Sequence, residues 1–392
     1  MRILTVGSMY PPHHLGGYEV TWRSSVLHLR SAGHACRVLT TDFLRSDAPM
    51  ADEDADVHRE LRWYWRDHDY PALGLRATLA LERHNHRVLE RHLRVFEPDV
   101  VCWWAMGGMS LSMIERVRRA GHPAVGVVGD DWLVYAGDVD RWMSRFRSRP
   151  RLARAVERAT GIPTRVDLEA AATWLFNSER TRKGARTSLP GMQRTAVAHP
   201  GVDATLLRPA PPQPWGWRLL YLGRVDPRKG IELAVRALPL LPEEATLTVA
   251  GSGDGAHLDA LRVLAAELGA ADRIEFAERA RSEVPSAYAA SDAVVFPVLW
   301  SEPWGLVPLE AMAVGRPVIA SPRGGQSEYL EDGVNCLVLD PDEGPEGLAR
   351  ALHRLADDAD LRAALRDGGA RTAARFTEKG YNRAIETALL GP

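Results

Sequence analysis

The stretch that decides the fold is LLRPAPPQPWGWRLLYLGR, residues 206–224. Its first part, LLRPAPPQPWG (206–216), is Pro-rich and reads as a linker. Its last part, RLLYLGR (218–224), is an apolar run that reads as a buried strand. One strand–helix series therefore ends before the linker and a second begins after it. Downstream, ATLTVAG (245–251), RIEFAE (273–278), AVVFPV (293–298), PVIASP (317–322) and NCLVLD (335–340) are predicted strands. Helices are expected between them at about 232–241, 257–268, 284–290, 304–315 and 346–356. Upstream, RILTVG (2–7), CRVLTT (36–41), DVVCWWA (99–105) and AVGVVGD (124–130) are the corresponding strands, with helices at 18–32 and 77–96 and a charged loop at 50–60. Continuous apolar runs, rather than alternating ones, suit parallel sheets covered on both faces.

The chain has 392 residues, more than the roughly 250–300 at which one core stops growing. The pattern predicts an α/β protein of two Rossmann-like, doubly wound parallel-sheet domains, at 1–207 and 208–376. A last helix within 377–392 is expected to cross back to the first domain. Ligands of such domains sit beyond the carboxyl ends of the strands, so chemistry is sought in the loops that follow them.

Composition narrows the class. Hydrophobic residues at 45% and charged ones at 26% are globular values, which excludes long disorder. No apolar run approaches the roughly 20 residues of a membrane span, and the N-terminus enters a strand without a signal-peptide pattern. Cys36, Cys102 and Cys336 are isolated and read as free thiols of a cytoplasmic protein. Residues 1–200 hold 29 Lys+Arg against 23 Asp+Glu, and the rest 20 against 28. The basic first half suits an anionic ligand or membrane surface; an ordinary solvated surface is the plainer alternative.

The chemistry-bearing candidates follow strands. Arg224 ends one, and Lys229 lies in the loop after it; two cations there suit a diphosphate. WSEPWGLVPLEAMAVGRPV (300–318) places Glu302 just before a helix and Glu310 inside it, with Gly305, Leu306 and Val307 at its start. A helix start is an anion site. The plainer alternatives are a helix cap for Glu302 and a surface helix position for Glu310, the latter weakened because Leu306, Val307, Leu309, Met312 and Ala313 leave little polar face. PHHLGGYE offers Gly16 and Gly17 for close backbone approach to a phosphate. GSGDGA (251–256) competes: Gly251, Gly253 and Ala256, with Glu275 on the next strand, fit a dinucleotide fingerprint and point to an NAD-dependent oxidoreductase. The Asp pairs in DEDAD (52–56) and DVD (138–140) do not end strands, the histidines lack zinc-type spacing, and no metal site is expected.

Taken together, GRVDPRKGIELAVRAL (223–238), VAGSGDG (249–255), the run 291–321, GG (324–325) and EDGVNCLVLDP (331–341) resemble the retaining family-4-type glycosyltransferases with the GT-B fold. MRILTVGSMYPPHHLGGYEV (1–20) and HPGVD (199–203) match more loosely. The resemblance implies two domains facing a cleft and a nucleoside-diphosphate sugar, with UDP as the first-choice nucleotide, as donor substrate. It implies no resident cofactor and no metal. Glu310 would hold the ribose hydroxyls, Glu302 would approach the donor sugar, and Arg224 and Lys229 would hold the diphosphate. Backbone amides at Gly305, Leu306, Val307, Gly251, Gly16 and Gly17 would complete the cradle. Where the family usually has a histidine, VVGDDW places Gly129 and Asp130, so Asp130 is the candidate for the sugar-side contact. An inactive nucleotide-sugar-binding protein is the non-catalytic alternative.

The acceptor is expected on the first domain, near Trp63, Tyr64, Trp65, Tyr70, Trp103, Trp104, Trp132, Tyr135 and Trp142, whose faces suit a sugar or apolar aglycone. Core packing is the plainer reading for Trp103 and Trp104, exposure for RWYWRD (62–67). The basic segment 141–165, with Trp142, Met143 and Phe146 interleaved, reads either as a peripheral membrane contact at the inner face or as a solvated basic face. No nucleic-acid-binding module is recognised.

Overall fold

A computed structural model of the chain describes residues 1–46, 48–49, 54–66, 69–253 and 255–391. The chain divides into two compact units, one of residues 1–198 with the chain from Asn382 on, the other His199–Tyr381. Both are α/β units, and every pairing between their strands is parallel.

The first unit has strands β1 (Arg2–Val6), β2 (Ala35–Thr41), β3 (Val57–Leu61), β4 (Val100–Trp103), β5 (Ala124–Val128), β6 (Thr173–Phe176) and β7 (Thr195–Val197), in the spatial order β3-β2-β1-β4-β5-β6-β7. The order reverses between β1 and β4, the switch point of a doubly wound sheet. Central β4, VVCW, is buried on both faces, as its unbroken apolar run requires. Three strands escape the sequence reading. Edge strand β3, VHREL, is half-buried and polar, and lies in the end of the stretch read as a charged loop. β7 has three residues and β6 four, too few for a periodicity to register.

The second unit has β8 (Arg218–Leu222), β9 (Thr246–Ala250), β10 (Ile274–Ala277), β11 (Ala293–Phe296), β12 (Val318–Ala320) and β13 (Leu337–Val338), ordered β10-β9-β8-β11-β12-β13. Its switch point lies between β8 and β11. A helix Ala359–Arg375, absent from the sequence reading, packs on the helix Leu306–Val314, and a Cβ on Gly369 would come 3.0 Å from Met312 Cγ. That helix carries the GG pair that lowers its helix signal.

The Pro-rich 206–216 stretch is not a free linker. Leu207 is buried, Ala210 N–H donates to Val314 O at 3.0 Å, and Arg316 donates to Pro211 O at 3.2 Å, all within the second unit. From Asn382 on, the terminal helix (Glu378–Leu390) packs on the helix Gly17–Ser31: Ser25 Oγ donates to Asn382 Oδ1 at 2.7 Å, and Glu386 pairs with His28 and His34 at 2.9 and 3.2 Å.

Candidate functional site

The loops after β8 and β11 meet at the switch point of the second unit. The loop after β8 is Gly223–Gly230. Asp226 accepts both arms of Arg228, at 2.9 and 2.7 Å, and that hydrogen bonding holds its carboxyl well below the usual carboxylate range. Gly230 has φ +69°, and a Cβ there would lie 2.1 Å from Pro297 O. Leu299 N–H donates to Arg228 O at 2.8 Å. The two loops are thus bonded into one surface.

That surface holds the predicted cations and the first carboxylate. Lys229 Nζ lies 2.6 Å from Glu302 Oε2, which also accepts Trp300 Nε1–H at 2.7 Å. Arg228 lies over the Trp300 ring at 4.5 Å, a cation–π contact that orients the indole. The guanidinium of Arg224, 38% exposed, is 3.5 Å from Asp226 Oδ2, a loose pairing. Glu302 makes no cap to the helix Leu306–Val314. Its backbone is strapped to a third loop instead: Glu302 N–H donates to Arg323 O at 2.9 Å, and Gly325 N–H to Glu302 O at 2.7 Å.

The helix Leu306–Val314 begins at Gly305, φ +81°, where a side chain would press on Phe296 at 3.2 Å. Tyr329 hydroxyl donates to Gly305 O. The amides of Leu306 and Val307 belong to the first turn, whose N–H groups lack intrahelical acceptors. Glu310 is 5% exposed, not a surface position. Its Oε1 accepts Arg281 Nη1 at 2.8 Å and its Oε2 accepts Tyr288 hydroxyl at 2.9 Å. Burial works against the Arg281 charge, but Glu310 outweighs it and the guanidinium pKa is raised. A carboxylate has about four acceptor positions, so two donors leave room for a diol. Trp300, Arg281 and Tyr288 were not legible as partners. Tyr288 is 22 positions from Glu310, and no local pattern links them.

The glycine loop reads differently in three dimensions. A Cβ on Gly251 would lie 1.9 Å from Gly223 O, and one on Gly253 2.0 Å from Val225 O. Val225 N–H donates to Ser252 O at 2.9 Å. These glycines let the loops after β8 and β9 run side by side, a packing requirement that accounts for the fingerprint. Glu275 is the second residue of β10, exposed, and bonded to Arg279 at 2.8 Å. A ribose-binding acid belongs at the strand's carboxyl end. Asp254 of this loop, Asp52 and Glu53 of DEDAD, and Asp67 of RWYWRD lie outside the described residues. Asp54 pairs with Arg23 at 2.8 Å, and buried Asp140 accepts the amides of Leu111, Trp142 and Met143 at 2.8–2.9 Å.

Gly16, Gly17 and Asp130 belong to the first unit. Gly16 N–H is taken by Glu19 Oε2 at 3.1 Å, as part of the cap of the helix Gly17–Ser31; a Cβ on Gly17 would meet nothing within 4 Å. Tyr18 fills the space that a Gly129 side chain would need, 2.5 Å from its ring. This brings the β1 loop against the β5 loop. Asp130, half-buried, accepts Trp132 N–H at 3.0 Å and Tyr135 hydroxyl at 3.4 Å. Gly107 and Gly108 make room for Tyr135 and Tyr70.

Desolvation pushes the Asp130 carboxyl from 3.8 up to about 6. An acid whose pKa is raised on folding loses native stability as it ionises, so the penalty grows as pH rises through about 4 to 6 and is complete above. Asp130→Asn should therefore melt above wild type at pH 7.5 and converge with it near pH 4. A gap that narrows with rising pH in calorimetric scans would refute this.

Among the predicted aromatics, Trp103, Trp104, Trp132 and Trp142 are core, and Tyr64 is buried with its hydroxyl on Glu82. Trp63 and Trp65 are half-buried and cluster with Phe43 at 5.8 and 5.9 Å. The Trp142, Met143 and Phe146 side chains interleaved in the basic 141–165 segment give no apolar membrane face, because all three are buried in the core. Pro150 starts a helix, Pro150–Thr160, rather than interrupting one, because a missing N–H costs nothing at the first turn. Among the described residues no helix is long and apolar enough to cross a membrane.

Residues 212–372 match the family described as glycosyl transferases group 1. The D-inositol 3-phosphate glycosyltransferase of Salinispora arenicola is 35% identical over 211 residues, 47% of this chain and 46% of that protein. The enzyme of that name from Frankia alni is 35% identical over 246 residues, 56% and 60% respectively. The chain spans about half the length of the curated relatives it matches. Sucrose-phosphate synthase from Thermosynechococcus elongatus superposes with a TM-score of 0.75 at 20% identity, over 99% of this chain and 98% of that one. Anabaena HepE, solved in complex with UDP and glucose, superposes with a TM-score of 0.71 at 21% identity over the whole of both chains. Residues 212–372 are thus similar to the glycosyl transferases group 1, and the two α/β units have the GT-B fold of these structures.

Proposed function

We propose that the protein is a retaining hexosyltransferase that moves a sugar from a UDP-sugar to a hydroxyl of a small natural product, a saccharide or a lipid-linked acceptor. The observation that carries the reading is the arrangement at the second unit's switch point. Lys229 is paired with Glu302 beside the start of the helix Leu306–Val314, and that helix bears a buried Glu310 whose two oxygens are already oriented. A diphosphate calls for cations and a helix N-terminus, and a ribose diol calls for a fixed carboxylate. Anabaena HepE, solved with UDP and with UDP-glucose, supports uridine as the base.

In this reading Arg224 and Lys229 stabilise the leaving diphosphate as its charge develops. Glu302 orients Lys229 and faces the donor sugar. Asp130 is assigned the donor-sugar contact, and the half-buried Trp63 and Trp65 of the first unit the acceptor.

Thermal-shift titration with UDP, GDP, ADP, dTDP and NAD tests the reading. UDP at a hundredfold excess over its Kd should stabilise wild type by about 2.7 kcal/mol, and Glu310→Ala should lose most of that shift. Stabilisation by NAD alone would restore the oxidoreductase reading. A shift that persists undiminished in Glu310→Ala would remove Glu310 from the nucleotide site.

A further inference from the structure

Edge strand β3 and the helix Leu75–Phe96 bring together three ligand-type side chains that sugar transfer does not use. His58 Nδ1 lies 3.4 Å from Glu60 Oε1, and His92 Nε2 lies 3.5 Å from Glu60 Oε2. One ligand atom from each residue falls within 4.8 Å of the others, and the two imidazoles meet edge to face at 4.7 Å. Tetrahedral zinc with bonds of about 2.0–2.1 Å needs ligand atoms roughly 3.3–3.5 Å apart.

The surroundings are those of a built site. His58 Nε2 is 2.7 Å from Asp56 Oδ1, and Asp56 is gripped by Arg37 at 3.0 and 3.1 Å. A carboxylate behind a histidine fixes the ring so that its other nitrogen faces a metal. His92 is buried, and its Nδ1 makes no hydrogen bond, so the polar contacts of this ring are on its Nε2 side. His58 and Glu60 are partly exposed, which leaves a path from solvent.

A cation already serves the cluster. Arg91 pairs with Glu60 Oε2, its Nη2 lies 3.5 Å from His92 Nε2, and its side chain is 49% exposed. It is therefore free to swing into water. We propose that His58, Glu60 and His92 form an open three-ligand site for a borderline divalent transition metal, zinc first, which displaces Arg91 and clips edge strand β3 to the helix Leu75–Phe96. Two imidazoles and one carboxylate with a fourth position for water select zinc or cobalt over magnesium or calcium.

The test is titration of chelator-treated full-length protein with Co2+ alone, followed by visible absorption. Wild type should bind one equivalent with the intense bands of tetrahedral cobalt, and Zn2+ should bleach them. His58→Ala should lose the signal, and Asp56→Asn should bind about tenfold or more weakly. Arg91→Ala should bind more tightly, because the competing cation is gone. Since His92 is buried, its replacement is avoided and each variant's metal-free melting curve is compared with wild type. Absence of saturable binding by wild type, or a Co2+ spectrum unchanged in His58→Ala, would overturn the proposal.

Discussion

Lys229→Ala is expected to lower kcat by about a hundredfold to a thousandfold, the usual cost of removing one preorganised donor to developing charge. Stability should change by less, about 1–3 kcal/mol, because Lys229 and Glu302 are only 13% and 12% exposed and the carboxylate loses one of its donors. The asymmetry follows from geometry. Glu302 keeps the Trp300 indole bond at 2.7 Å after the ammonium is gone, so the folded state retains a partner for the carboxylate. The loop also keeps its Asp226 turn and the Leu299–Arg228 bond. The leaving diphosphate loses a cation that nothing nearby replaces, because Arg228 is committed to Asp226 and Trp300. Lys229→Arg should not rescue, since the site is built for a compact charge. Steady-state turnover with the donor found by thermal shift, alongside a melting curve, decides the matter. Near-wild-type kcat would remove Lys229 from the chemistry.

Gly324→Ala should damage both fold and function. Gly324 has φ +120° and ψ −149°, a region open essentially to glycine alone. A Cβ there would sit 2.1 Å from Glu302 O and 2.4 Å from Glu302 N. Those are backbone atoms, so no side-chain rotation relieves the clash, and the strand-like bridge between Glu302 and Gly324 must open. Strain and overpacking of this kind cost about 1–3 kcal/mol each. Because the bridge positions Glu302 and through it Lys229, kcat should fall by at least tenfold even well below the melting temperature. Denaturant unfolding and kinetics at 15–20 °C separate the two effects. Full activity in a destabilised variant would show that the bridge serves only the fold.

The distribution of what could be read follows from the range of each interaction. Strands buried on both faces, such as β4 and β11, announce themselves as short apolar runs. Polar edge strand β3 and three-residue β7 do not. Arg224, Lys229, Glu302 and Glu310 were visible because residue type and position after a strand suffice to nominate them. Their partners were not. The Tyr288 and Arg281 donors to Glu310, and the Gly324 bridge that holds Glu302, come from other loops and helices.

By itself, then, the sequence determined two parallel α/β units and the loops that bear charged residues, since local composition and spacing encode both. Tertiary structure alone decided that Gly251 and Gly253 serve loop packing, that Trp142 and Phe146 are core rather than a membrane face, and that His58, Glu60 and His92 converge. Each of these depends on which backbone lies alongside which, and chain-distant contacts leave no periodic trace in the sequence.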